Sequence, residues 1–208
     1  EIRPRDWSSD VCSSDLTSVL NEAILARIQA LGFSTKNIQL TSEGYLVEGD
    51  IILTEKDLQE APSFQNFRVA ETEQYSTNNL VKPATRTITV SGPTSPAGFS
   101  SAIDGAISRY NAVGTTLTFS RVASGADINI TLINTGQYIA SSGFPSSTGA
   151  PYGTVKYAKM YSNYSSGFMT TVIAHEIGHS IGFRHTDYMD RSYSCGSGGN
   201  EGSGRSEE

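Results

Sequence analysis

The sequence predicts an α+β domain, and three observations carry that prediction. Short runs such as RTITVSG at 86–92 alternate apolar and polar residues, the period of a half-buried strand. Longer runs such as FSSAIDGAISRYNAVG at 99–114 place apolar residues at helical spacing. The two kinds follow in the order strand, helix, strands, loop, strand, helix, with no internal repeat.

Composition limits the classes of function. With 208 residues, 37% hydrophobic and 17% charged, the chain can bury one core of ordinary size and a smaller subdomain. A net charge of −6 and a pI near 5.1 leave no basic stripe to neutralise phosphates, so no nucleic-acid partner is expected. No stretch approaches the roughly 18 apolar residues that span a bilayer, so no membrane span is expected either.

The ends predict a fragment. Arg205-Ser206-Glu207-Glu208 can be encoded AGA TCG GAA GAG, whose reverse complement, one base out of frame, encodes Ser-Ser-Asp-Leu. Ser13-Ser14-Asp15-Leu16 is that peptide, and Ser8-Ser9-Asp10 repeats most of it. Residues 1–16 and 205–208 are therefore expected to be translated adapter DNA, outside the fold. Cys12 then drops out of the cysteine arithmetic, leaving Cys195 as a free thiol or as half of a disulfide with a partner further on.

Between those ends the elements can be justified in turn. LTSVLNEAILARIQALGF at 16–33 sets Val19, Leu20, Ala23, Ile24, Ala26 and Leu31 on one helical face, and Gly32 stops the helix. GYLVEGDIILTEKDLQEAP at 44–62 reads as a strand pair broken at Gly49 and Asp50, then a short helix announced by Thr54 and Asp57. ETEQYSTNNLVKPAT at 71–85 is polar and holds Pro83; it reads as a linker and places a boundary near residue 80. The regions expected are thus 17–80, N-terminal, and 81–204, the main domain.

Ile88 and Val90 mark the next strand. Phe99, Ile103, Ala106, Ile107 and Tyr110 mark a helix ending on Gly114. LTFSRV and ADINITLIN are strands separated by Ser124 and Gly125. After a Gly-, Ser- and Pro-rich stretch at 136–152, TVKYAKMY reads as an edge strand with its two lysines on a solvent border.

HEIGHSIGFRH at 175–185 contains all three histidines of the chain. A helix from about 166 to 181 puts His175 and His179 one above the other, so two imidazoles reach one ion. Glu176 projects to the edge of that site, where it can act on a metal-activated water without joining the ligands. Gly182 can reverse the chain at low steric cost and return His185 as a third nitrogen ligand. Three protein ligands leave one position open, the pattern of a catalytic rather than a structural zinc.

The pattern of His175, Glu176, His179, Gly182 and His185 resembles the long zinc signature of the metzincin metallopeptidases. Together with GFRHTDYM after it and GYLVEGDIILTEKDL before it, the text resembles the dual-action HEIGH metallo-peptidase family over most of 17–204. The resemblance implies a metzincin-like zincin: a twisted mixed sheet, an active-site helix and a small C-terminal subdomain, here truncated. It also implies a secreted bacterial zinc endopeptidase acting on protein or peptide substrates; a monomer is expected. Zn2+ is the cofactor, His175, His179 and His185 the metal ligands, and Glu176 the general base.

Metzincins carry a Met-containing turn beneath the metal; Met189 lies only four residues after His185 and no later Met follows, so that floor is expected to lie beyond the cut. An extended substrate is expected to pair with an exposed strand edge, placed by the resemblance at about 137–142. Asp187 can orient a ligating His or make a local backbone bond, and Tyr188 and Tyr193 can donate to an oxyanion or simply pack. Residues 17–80 form an inhibitory prosegment, with a carboxylate such as Asp50 in the open metal position, or an ordinary packed domain. The alternative to an endopeptidase is a catalytically silent zinc-binding adhesion or protein-interaction module, in which Glu176 has no purpose.

Overall fold

The computed structural model describes residues 20–59, 76–77 and 79–185. Cys12, Cys195, Asp187, Tyr188, Met189, Tyr193 and both expected adapter-derived ends lie outside the described residues.

The N-terminal elements build a small unit. Helix α1 (Glu22–Ala30) starts where the Asn21 side chain accepts from the Ile24 N–H at 2.8 Å, and Gly32 leaves it with φ +78°. Its buried face differs from the one expected: Ile28 and Leu31 are buried, whereas Ala23 and Ala26 are exposed. The helix packs as a single stripe over a three-stranded sheet, so its two small residues stay in solvent. That sheet joins β1 (Gln39–Thr41), β2 (Gly44–Val47) and β3 (Ile51–Leu53), all antiparallel, with Val47 opposite Ile51 across a turn at 48–50. Helix α2 (Glu55–Gln59) opens on a reciprocal cap, Thr54 N–H to Asp57 Oδ2 at 2.7 Å and Asp57 N–H to Thr54 Oγ1 at 3.2 Å. Ile28, Phe33, Tyr45, Val47, Ile51, Leu53 and Leu58 make its core.

The larger unit is a five-stranded mixed sheet among the described residues, in the order β5-β4-β6-β8-β7. Its strands are β4 (Arg86–Ser91), β5 (Leu117–Arg121), β6 (Ile128–Ile133), β7 (Ala140–Ser141) and β8 (Thr154–Ala158); all run parallel except β7. The long helices α3 (Ala97–Val113) and α4 (Ser166–Ile181) pack with the sheet through Phe99, Ile103, Met169, Ile173 and Ile177. The α+β class is as the sequence predicts. The position of TVKYAKMY is not: β8 is interior, paired on both sides, with Val155 and Tyr157 buried. The edge is taken by β7, two residues within the Gly- and Ser-rich stretch, too short to leave an alternating signature. Lys156 sits in that interior strand by pairing with Glu43 at 2.7 Å.

Asp127 joins β4 to the start of β6. Its carboxylate accepts from Thr89 N–H (2.9 Å), Thr89 hydroxyl (2.8 Å) and the Arg86 guanidinium. Burial pushes this carboxyl up, but the Thr89 bonds and then Arg86 outweigh it and hold it below the usual range. Replacing Asp127 by Asn is expected to lower unfolding free energy at pH 7 by about 1–3 kcal/mol. Because the folded pKa lies below the unfolded one, the contribution is complete above the ordinary value of 3.8 and fades as pH falls through the depressed value. Urea unfolding at pH 7 and pH 3 checks this; a gap between parent and variant that grows on acidification contradicts it.

Candidate metal centre

The ligand helix is fixed before its ligands are. Ser165 caps α4 by accepting from the Phe168 N–H at 3.3 Å. Tyr110 on α3 donates to the Ala174 carbonyl at 2.8 Å, and a Cβ on Gly178 would lie 2.9 Å from that same hydroxyl oxygen. The helix ends at Gly182, φ +116°, whose N–H reaches the carbonyls of Gly178 and His179 while Phe183 N–H returns to Gly178. The exit is pinned from outside by Thr77 N–H on the Gly182 carbonyl at 2.8 Å and by a bridge between Ser76 and Phe183. Part of the stretch read as a linker thus lies against the turn that returns His185.

The structure brings His175, His179 and His185 together. Their Nε2 atoms lie 3.0 Å (175 to 179), 3.1 Å (175 to 185) and 3.1 Å (179 to 185) apart. Asp50, on the turn between β2 and β3, adds Oδ2 at 3.1 Å from His185 Nε2 and 3.4 Å from His175 Nε2. These four donor atoms all lie within 4.8 Å of one another, a group able to hold one metal ion.

The donor chemistry fits zinc. His179 Nδ1 faces the Phe183 carbonyl at 2.8 Å, so Nδ1 carries the proton and Nε2 presents its lone pair to the centre. Burial above all pushes His179 down to about 3, which keeps that ring neutral at pH 7. His185 Nδ1 faces Glu48 Oε2 at 3.2 Å. Nitrogens about 2.05 Å from a tetrahedral zinc stand about 3.3 Å apart, close to the spacing found. One cation would satisfy these lone pairs and the Asp50 oxygen together.

Two carboxyls at the centre differ in environment. Burial pushes Asp50 up, but the contacts of its carboxylate with the His175 and His185 rings outweigh it and hold it well below the usual range. Burial, and then the charge of Asp50, push Glu176 well above its ordinary value. Glu176 is 2% exposed, and its Oε2 has no hydrogen-bond partner among the described residues.

The stretch expected to pair with substrate, about 137–142, ends in a strand edge that residues 50–52 occupy. Ile52 N–H donates to the Ser142 carbonyl at 2.7 Å, Ser142 N–H to the Asp50 carbonyl at 3.0 Å, and Ile51 bridges Ser142 in the parallel sense. Ser142 and Ser180 share a buried hydroxyl contact of 2.8 Å that ties this edge to α4. A cleft of about 700 Å³ opens elsewhere, lined by residues such as Pro93, Asn129, Leu132 and Lys159. Sequence reasoning missed Glu48 and Arg184, which pair at 3.1 Å beside His185. The available signal was the Glu-Gly-Asp run between two apolar strands, which marked a turn but not what it would face.

A buried glutamic acid next to three imidazoles on a helix and its exit turn defines a metallo-peptidase class of site. The chain belongs to the dual-action HEIGH metallo-peptidase family, whose sequence model matches residues 45–206. Among solved structures it is similar to myroilysin, with 20% identity and a TM-score of 0.39 over 50% of this chain and 52% of that one. It is also similar to high choriolytic enzyme 1, a hatching enzyme zinc-protease from Oryzias latipes (Medaka fish), with 18% identity and a TM-score of 0.35 over 51% of this chain and 48% of that one. The chain thus spans about half the length of these structures. No curated protein matches it.

The centre is expected to bind one zinc per chain, measured by plasma mass spectrometry after dialysis against limiting free metal. His179→Ala, which deletes a buried nitrogen donor, is expected to lower zinc affinity at least about tenfold; unchanged zinc content in that variant removes His179 from the ligand set.

Proposed function

We propose that this chain is a zinc-dependent endopeptidase held in a latent arrangement by its own N-terminal region. The observation that supports this most is the Asp50 carboxylate beside the three imidazoles, delivered by a turn whose backbone also occupies the Ser142 edge. His175, His179 and His185 hold the metal, and Asp50 takes the position a substrate would otherwise use. A bound zinc would supply Lewis acidity, polarising a scissile carbonyl and lowering the pKa of a water toward neutrality. Glu176 takes the proton from that water and delivers it to the leaving amine; its place one residue after His175, with a buried oxygen lacking a partner, suits that transfer. The backbone of Ser142 lines up an extended substrate once residues 50–52 leave the edge, by the same N–H and C=O groups that Asp50 and Ile52 now use.

In this reading residues 17–80 act as an inhibitory prosegment and 81–204 as the catalytic domain. Protein or peptide is the substrate, the enzyme is a monomer, and it works outside the cytoplasm. That the family match begins at Tyr45 and includes the Asp50 turn supports a role for this turn within the family's own sequence.

A second reading has one observation in its favour. Three histidines and Asp50 make four protein ligands, and a closed four-ligand shell is the structural zinc pattern. A silent module, however, gains nothing from burying Glu176.

Two substitutions separate the readings. Glu176→Gln is expected to lower casein hydrolysis about 10²–10⁴-fold with zinc content unchanged. Asp50→Ala is expected to raise hydrolysis at least about tenfold over the parent, because it removes a tethered competitor of high effective concentration. Full zinc content with no hydrolysis in Asp50→Ala is the result of a silent module.

A further inference from the structure

Glu48 does not face the donor ring, yet its carboxylate is buried as deeply as any group there. Its side chain is 0% exposed, as is that of His185, and Arg184 is 1% exposed. Glu48 Oε1 accepts from Arg184 Nη2 at 3.1 Å, and Oε2 lies 3.2 Å from His185 Nδ1. Arg184 Nη2 also donates to the Gly32 carbonyl at 3.1 Å, and its guanidinium carbon lies 4.0 Å from the centre of the Phe33 ring. The N-terminal unit thus supplies a socket for the two residues at the far end of the metal motif.

The two most buried ligands are oriented by different means. His179 finds its Nδ1 partner four residues along its own chain, at the Phe183 carbonyl. For His185 the Nδ1 partner is Glu48, 137 residues away. A carboxylate accepting from Nδ1–H fixes the tautomer that leaves Nε2 bare, holds the ring plane and raises the basicity of the coordinating nitrogen. The backbone at Glu48 shows that the side chain is placed against local preference: φ is +53°, a left-handed conformation that a Cβ disfavours, with Gly49 next at +96°.

We propose that Glu48 is a positioning residue for the third metal ligand, so that the turn whose Asp50 closes the centre also builds it. The inference rests on the metal-centre reading above. Its consequence is that the N-terminal region has two opposed effects: Asp50 competes for an open position, while Glu48 holds His185 ready to coordinate. Loss of the whole turn and loss of Asp50 alone are then different events. The first loosens the metal; the second leaves it held.

The test is zinc affinity of the full chain by competition with a chromophoric chelator, with the visible spectrum of the cobalt-substituted protein as a second readout. Glu48→Gln keeps the shape of the side chain and is expected to weaken zinc about 10–100-fold and to shift the cobalt bands. Arg184→Met removes the ion pair but leaves the Glu48 contact with His185, and is expected to keep the parent's affinity. The double variant Glu48→Gln with Arg184→Met removes both members of the buried ion pair, so it keeps the test valid should the single Glu48 change unfold the chain; it is expected to match the single variant in zinc loss. Parent-like zinc affinity in the double variant, or an equal loss in Arg184→Met alone, overturns the positioning role and leaves the metal centre standing. Failure of the parent to bind zinc overturns both.

Discussion

One imidazole, that of His185, meets carboxylates on both of its nitrogens, and the two carboxylates stand two residues apart on a single turn. Nδ1 faces Glu48 and Nε2 faces Asp50, so the ring is the joint between the two units of the chain. Helix α4 alone presents two nitrogens; only the reversal at Gly182 and the capture of His185 make a third converge with them. The convergence of the three imidazole nitrogens therefore involves a contact between distant segments as well as the helix that carries most of the motif.

The joint is polar where the units themselves are apolar. Each unit has its own hydrophobic cluster, one around Ile88, Ile103 and Ile173 and one around Ile28, Val47 and Leu58. Between them lie the Arg184–Glu48 pair, the Asp50 carboxylate and the edge hydrogen bonds of Ser142, with Phe144 as an apolar exception. Phe144 touches Phe33 at 5.9 Å between ring centres and meets His179 edge-on at 5.8 Å. Stripping one partner from a buried ion pair costs about 3–5 kcal/mol, because the other charge is left without compensation. Replacing a buried pair with apolar side chains of similar volume is often neutral, so the pair defines geometry more than it adds stability. The joint therefore sets where the two units meet more than it adds to their stability.

What was legible in the sequence follows the range of the interactions. The helix over 166–181 and the reversal at Gly182 depend on residues close together in the sequence, and periodicity and glycine chemistry carried them; the return of His185 toward His175 and His179 was legible from their spacing, the distant contact that captures it was not. The hairpin around residues 45–53 and the Thr54–Asp57 cap were legible for the same reason. The face of α1 was misjudged because Ala23 and Ala26 fit an apolar stripe whose true centre is Ile28. The neighbour order of β8 was misjudged because a two-residue strand has no period to read. Asp50 was reachable as a carboxylate near an open metal position, but Glu48 was not. Its partners are 136 and 137 residues away, and its exposed-looking type gave no hint that its side chain would be fully buried.

The turn itself explains how one short segment can serve both sides of a ring. With Val47 opposite Ile51, three residues must reverse the chain, and Glu48 and Gly49 do so with positive φ. Gly49 takes φ +96° with nothing within 4 Å of where a Cβ would stand, so conformation and not space calls for glycine there. Glu48 in the left-handed region costs about 1–2 kcal/mol relative to an ordinary backbone conformation, a cost that its two charge-assisted contacts offset. Had the turn used ordinary extended angles, alternation along the strand would have sent residues 48 and 50 to one face in a line. The left-handed pair bends that line instead, so Glu48 reaches behind the imidazole while Asp50 reaches in front. The Asp50 and Glu48 carboxylates are thus coupled by the backbone: neither can be moved far without displacing the other.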